Sequence, residues 1–572
     1  MTQAALLQEQ RRALEELKTL AQASDTLQVG ASIADGSDLV VALDLNTQSF
    51  TSVPGGLPIR STERIYVRIP GSFPWRPPGV EVDHHRWDGQ PHVLQGRRLC
   101  LYLDPMTEWN PTTGMAGFLE RLWNWFDDAI AGRFDPATAL YHAVGGVLHR
   151  TAGTPTIVVA DPIDQTPGTF AVRSMTLRQR GVDRVDVVAW DRVAPSPDHF
   201  RGVAVILPDP LPRGGGFRLS DIAIAIRAQT SRHQRKQFLR ALQEAAASLK
   251  GDQHVYVVLA VPNQNLVGDA RLHLIGCRLA KPLVMPAVDA AGRRHALDAP
   301  HGEEPPVEWT YVDDTRAAIV TRRDSQRPVS ALAGKTVELW GCGAIGSWIG
   351  EFLVRAGVSR IIVRDPGYVI HGLLVRQNYR EEDVGRRKVD ALADRLRAVS
   401  DTVTVEPCFG LAELALPIEG HIDLIFDATV NTSVAVALAR AQAAGQCKTP
   451  VAQVATDTGT ATLGILTITR GDQREETNSL DQALMAAALS DPALTPFREF
   501  WQAGNHPPLT PTLGCSVPTF HGSAADAATI AATAVNLVAL AMQRHVACGY
   551  LFGSPTTPHP VPPCTHVTPN ST

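Results

Sequence analysis

Gly341, Gly343 and Gly346 form a GxGxxG run between KTVELW (335–340) and the helical pattern GCGAIGSWIGEFLVRAG. After a strand, the first glycine permits a tight turn and the second lets backbone approach a phosphate. The third lets helix and strand pack closely. The helix N-terminus then offers free N–H groups and a positive dipole end to an anion. A following apolar run, SRIIVRD, ends at Asp365, about twenty residues on, where a carboxylate would hold ribose hydroxyls. On these residues alone a dinucleotide oxidoreductase and a structural glycine turn in another α/β fold both stay open. A second kind of chemistry is offered by thiols. Cys515, in LGCSVPTFHGSAAD, is expected in a loop ahead of a long helix. A thiolate there is a candidate nucleophile, with His521 near enough to favour it. A buried, inert thiol is the bland alternative.

The elements that must carry these groups can be read from periodicity. Leu6, Leu7, Leu14, Leu17 and Leu20 fall near one face of a helix over 4–23, and short alternating runs follow at 39–45, 64–69 and 80–83. Helical spacing returns at 115–130, giving an α+β segment that opens as an antiparallel meander. A second segment has apolar runs at 156–160, 185–189, 203–207 and 255–260, with a helix over 231–249. It reads as a small α/β linking or scaffolding domain with no catalytic pattern of its own. The predicted boundaries are 1–150, 151–310 and 311–550, with 551–572 a flexible, proline-rich tail. With 572 residues, three or four domains are expected.

Composition narrows the function classes. Hydrophobic residues make up 44% and charged residues 19%, a globular balance. A formal charge of -5 gives no basic footprint for nucleic acid. The first twenty residues lack the apolar core of a signal peptide, and the apolar stretch 527–542 reads as a buried helix and not a membrane span. The 8 cysteines never form a CxxC pair, which argues against a disulfide scaffold or a paired-cysteine zinc site. A reduced, cytoplasmic protein is expected.

Beyond Asp365 comes VIHGLLVRQNYREEDVGRRKVDALADRL, and then HIDLIFDATVN. With the glycine run, these resemble the ThiF/MoeB-type activating enzymes of ubiquitin-like systems, which are Rossmann-like. The resemblance implies that Arg376 and Lys388 contact ATP phosphates and neutralise the pyrophosphate leaving group. It also implies that Asp427 lies at the site with magnesium. Val430 stands where the family has a second Asp, and Leu373 where it has Asn, so Asp427 is left as the candidate metal ligand. The run around Cys515 resembles the Gly-Cys-x-x-Pro-Thr-Phe segment of bacterial activating enzymes fused to conjugating domains.

The first 150 residues resemble ubiquitin-conjugating enzymes. The matching positions are Phe73, Pro74, Trp75, Pro77 and Pro78, then Cys100 and Leu101, then Trp109 and Pro111. Gly96 lies one residue further from Cys100 than in the family. The family's His-Pro-Asn is missing, and His92, eight residues before Cys100, is the candidate to replace its hydrogen-bond donor or to act as base. A purely structural histidine is the alternative.

Together the two ends resemble the bacterial fused ubiquitin-conjugating/ubiquitin-activating-like enzymes of CBASS antiphage operons. That resemblance implies ATP-dependent activation of a protein's C-terminal carboxylate, thioester formation on Cys515, transfer to Cys100 and ligation to a lysine amine of an acceptor protein. The conjugated protein would be a cGAS/DncV-like nucleotidyltransferase. A homodimer is also implied, with Arg322 or Arg323 reaching the partner's ATP; no nucleic acid or membrane partner is expected. Two rivals are a ThiF/MoeB-like adenylyltransferase serving a sulfur carrier, and a module that only binds a ubiquitin-like partner.

Overall fold

In the computed structural model the described residues are 3–84, 86–87, 90, 92–94, 98–102, 104–134, 151–163, 169–191, 196–209, 226–251, 253–262, 272–281, 307–316, 323–412, 416, 420–471, 477–502, 509–511, 516–518, 521–558 and 560–568. The chain divides into two compact units, residues 1–321 and 322–572.

The first unit begins with the helix Gln3–Gln22 and an antiparallel sheet. The strands Asp38–Asn46 and Thr62–Ile69 alternate as expected, turning Val41, Leu43, Leu45, Ile65 and Val67 into the core. The helix Gly114–Ile130 covers that face with Met115, Phe118, Leu122, Phe126 and Ile130, a spacing that keeps them on one stripe. Three strands were not foreseen, the two-residue Val93–Leu94 and Arg98–Leu99 and the longer Leu27–Asp35. Leu27–Asp35 forms the sheet edge and leaves most of its residues exposed, so it carries no burial alternation to read.

A second, eight-stranded mixed sheet follows. Its centre pairs His199–Ile206 in parallel with His254–Pro262, and the intervening helix Arg232–Ser248 is opened by a Ser231/Gln234 capping box. Val312–Asp314 also belongs to this sheet, beside Thr156–Val159. The boundary expected at 310/311 therefore moves: a short strand of three residues, two of them acidic, gave no signal of membership.

In the second unit five strands are parallel, in the order Thr404–Phe409, Arg360–Asp365, Thr336–Trp340, Leu424–Asp427 and Val451–Thr456. The winding reverses between Thr336–Trp340 and Leu424–Asp427. In such sheets ligands bind outside the carboxyl ends of the strands at that reversal. Three antiparallel strands, Leu463–Ile468, Cys548–Gly553 and Cys564–Val567, extend the sheet. The last of these corrects the expectation of a flexible tail over 551–572, since its backbone pairs with Cys548–Gly553 despite the surrounding prolines. The helix Ala524–Arg544 is long and apolar enough to cross a bilayer. Here it packs against the helix Ala344–Arg355, and Ile530, Ala534, Val535 and Val538 enter the core of this unit.

Candidate functional site

The three glycines stand at the reversal of winding, each under a different constraint. Gly341 has φ +84°, and a Cβ there would lie 2.8 Å from the Ala428 carbonyl oxygen, on the neighbouring strand's exit. A Cβ on Gly346 would lie 1.8 Å from the Gly341 carbonyl oxygen, so only glycine lets the helix Ala344–Arg355 start so close to the loop. Around Gly343 nothing comes within 4 Å of a Cβ position. That open space at a helix start is where a phosphate could meet backbone N–H groups.

Asp365 is buried at the end of its strand. Its Oδ2 accepts from the Cys342 N–H at 2.7 Å and its Oδ1 from the Gly367 N–H at 2.6 Å. The Lys388 ammonium comes down beside it: a Cβ on Gly367 would lie 3.3 Å from Lys388 Nζ and 2.9 Å from Asp365 Oδ1. The loop, the carboxylate and the lysine are thus gathered at one strand end. Arg376 is buried alongside, its carbonyl accepting from Trp348 Nε1 at 3.2 Å, and burial lowers the pKa of its guanidinium.

Two neighbours of Arg376, absent from the expected site, hold this arrangement. Asn378 donates its backbone N–H to Ser347 Oγ at 3.0 Å and its Nδ2 to Glu351 Oε2 at 2.7 Å. Burial raises the Glu351 carboxyl, but bonds from Asn378, Arg355 and Arg395 outweigh this and hold it below its ordinary value. Tyr379 donates its buried hydroxyl to the Cys342 carbonyl at 2.7 Å. Both lie in the run that carries Arg376, and their buried polar character was the only available signal.

Asp427 is buried at the end of the strand on the other side of the reversal. Its Oδ1 accepts from the N–H and hydroxyl of Thr429, at 2.9 and 2.7 Å, and its Oδ2 from Gln453 Nε2 at 2.9 Å. Burial pushes its carboxyl up, only partly opposed by these bonds. Asp427 therefore braces the turn leading to Val430, which is exposed with φ +50°. Among the described residues no three His, Cys, Asp or Glu side chains gather as a metal site. Magnesium in nucleotide sites is held by one or two carboxylates together with phosphate oxygens, so Asp427 would be the protein's contribution, and no step is routed through the metal. A cavity of about 540 Å³ opens beside Asp427, Val430 and Gln453.

In the first unit the landmarks spread over 73–111 converge. Trp109 Nε1 donates to the Pro74 carbonyl at 2.7 Å, and its ring lies 6.2 Å from those of Phe73 and Tyr102. Cys100 follows the two-residue strand Arg98–Leu99 and is half-buried, its Sγ 3.5 Å from the Tyr102 carbonyl. Burial pushes its thiol up, the Glu108 carboxylate adds to this and Arg121 opposes it. Arg121 is fixed by Glu108 at 2.9 Å and by the Leu101 carbonyl at 2.6 Å. His92 has φ +60°, and its carbonyl accepts from the Cys100 N–H at 2.8 Å. Its ring is buried 4.6 Å from that of Phe134, and burial lowers its pKa. Cys515, Gly96 and Arg322 lie outside the described residues, and His521 is exposed.

Residues 319–546 match the ThiF family, and residues 8–145 match Prokaryotic E2 family A. No curated protein matches the chain. Among solved structures, selenomethionine PaaA covers 42% of this chain and 75% of its own, at 16% identity and a TM-score of 0.30. Escherichia coli MccB with ATP covers 42% of this chain and 65% of its own, at 14% identity and a TM-score of 0.29. MccB with AMPCPP and MccA gives 42% and 66%, again at 14% identity and a TM-score of 0.29. The chain thus spans slightly under two thirds of the MccB chain in both complexes. A ThiF-family domain follows a prokaryotic E2-family domain in one polypeptide, which fits a fused protein of the ubiquitin-activating and ubiquitin-conjugating type.

Proposed function

We propose that the chain activates the C-terminal carboxylate of a protein with ATP and passes the acyl group to an amine. The observation that carries this is the glycine loop at the sheet reversal, open at Gly343 and flanked by Asp365 and Lys388, on the same chain as the half-buried Cys100. Backbone N–H groups at the start of the helix Ala344–Arg355 would hold phosphate oxygens, and Asp365 would hold the ribose. Lys388 and Arg376 would offset charge on the departing pyrophosphate.

The substrate carboxylate attacks the α-phosphorus, forming the acyl-adenylate as pyrophosphate leaves. The Cys515 thiolate then attacks the acyl carbon and AMP departs. The Cys100 thiolate displaces Cys515, and a neutral lysine amine displaces Cys100, giving an amide and a free thiol. His92 anchors the Cys100 backbone through its carbonyl, and its imidazole is the candidate donor or base at this thiol. One chain carrying both thiols raises the effective concentration of the second transfer wherever they can meet. The wider reading assigns domains at 1–150, 151–321 and 322–568 to conjugation, linkage and activation. It adds a cytoplasmic homodimer with Arg323 at the partner's nucleotide, a cGAS/DncV-like nucleotidyltransferase as the conjugated protein, and a role in antiphage defence.

The test is a non-reducing gel of the full chain with ATP, magnesium and a protein encoded beside it, for wild type, Cys100→Ala and Cys515→Ala. A thiol-sensitive adduct lost in Cys515→Ala and retained, on Cys515 alone, in Cys100→Ala is the expected result. ATP–pyrophosphate exchange without any adduct would instead support an adenylyltransferase serving a sulfur carrier.

A further inference from the structure

The middle sheet carries a second cluster of polar groups, two of them the cations Arg178 and Lys250, far in sequence from the glycine loop. His199 and Arg178 are register partners on neighbouring antiparallel strands. His254 begins the strand beside His199–Ile206, and Lys250 lies just after the helix Arg232–Ser248. These four side chains line a cavity of about 520 Å³, with Tyr256 in its wall and Asp198 the carboxylate among the lining residues. That volume lies within the range of small-molecule sites, roughly 300–1,000 Å³.

The polar groups in this cavity are incompletely satisfied by protein. Arg178 Nε and His199 Nδ1 are buried without a hydrogen-bond partner among the described residues. A buried polar nitrogen left in that state keeps its desolvation cost unmet, and a ligand that bonds to it would relieve that cost. Lys250 has no ion-pair partner among the described residues. Arg178 reaches Asp186 only at 3.7 Å, through its terminal nitrogen. The His254 imidazole lies 3.9 Å from Glu308, a carboxylate already engaged by Arg278. Two cations, Arg178 and Lys250, therefore face one carboxylate, Asp198, in a pocket large enough for a small anion, a charge balance that favours a phosphate group over a neutral ligand.

We propose that this cavity binds a phosphate-bearing small molecule through Arg178, His199, Lys250 and His254, independently of the glycine loop. Inorganic pyrophosphate and a mononucleotide share the recognised group. Equilibrium dialysis of the full chain with radiolabelled pyrophosphate, AMP and adenosine tests it, using wild type, Lys250→Gln and Arg178→Gln. Lys250 is exposed, so its substitution leaves the fold in place, and ATP–pyrophosphate exchange reports separately on the glycine loop. The expected result is a pyrophosphate-binding phase weakened about tenfold or more in both variants, with exchange unchanged. AMP binding weakened in parallel would mark nucleotides as ligands, and pyrophosphate alone would mark free polyphosphate; either supports the site. Superimposable curves for wild type and both variants would overturn the proposal, as would adenosine binding as tightly as AMP.

Discussion

The two regions with candidate chemistry are built in opposite ways. At the glycine loop Gly341, Asp365 and Asp427 stand at the ends of parallel strands, and the neighbours are tied by buried hydrogen bonds: Asp365 to Cys342 and Gly367, Tyr379 to Cys342, Asn378 to Ser347 and Glu351. At Cys100 the supports are a two-residue strand, a left-handed histidine and a partly exposed Glu108–Arg121 pair. The difference matches the tasks proposed for them. Stabilising charge in a transition state requires donors fixed in advance, whereas a thiol that receives and releases an acyl group must be reached from outside.

Substitutions should expose that contrast. The largest effect is expected for Gly346→Val, where the new side chain meets the Gly341 carbonyl. Chemical denaturation should show a loss of about 3 kcal/mol or more, with exchange abolished. Gly343→Ala sharpens the point, since its Cβ enters open space. Thermal stability should hold while ATP–pyrophosphate exchange falls roughly a hundredfold, from the loss of phosphate approach to the backbone. Unchanged exchange would remove the loop from the chemistry. Tyr379→Phe deletes one buried bond to the Cys342 carbonyl. Denaturant titration should give a loss of about 1–3 kcal/mol.

The smallest effect belongs to the looser site. Glu108→Gln removes a negative charge that disfavours the Cys100 thiolate, so the thiol pKa falls and alkylation at neutral pH should quicken severalfold. Arg121→Gln acts with the opposite sign and should slow it. Peptide-resolved mass spectrometry reads both. The buried Cys277, pushed up to about 12 by desolvation, should stay unlabelled throughout as an internal reference.

How much could be read from the sequence follows the same division. Three of the five parallel strands were legible as apolar runs ending at glycine or aspartate, whereas Thr404–Phe409 and Val451–Thr456 were not read. Gly341, Gly343, Gly346 and Asp365 were found that way and Lys388 through the family resemblance, and the structure gathers them. Asp427 was found as a residue, yet a carboxylate's partners cannot be read along the chain, and Thr429 and Gln453 turned it into a brace. The supports Asn378 and Tyr379 were missed for the same reason, their partners lying about thirty residues away or more in sequence. Around Cys100 the landmarks were visible as aromatic and proline spacing. The bond from the Cys100 N–H to the His92 carbonyl was not, because no side-chain pattern encodes a backbone bond. Leu27–Asp35 and Val312–Asp314 escaped because one is an exposed edge and the other very short.

The antiparallel extension of the second unit has a topological consequence. Ile468 and Cys548 are register partners, so the chain leaves the sheet and rejoins it at a single rung. The stretch between them is an excursion clamped at its base. Closing such a loop costs only about 0.6 kcal/mol more for each doubling of its length. Residues can therefore be added to or removed from the excursion away from its packed helices without disturbing the strand order, and a single nick there would leave both halves held by the same ladder.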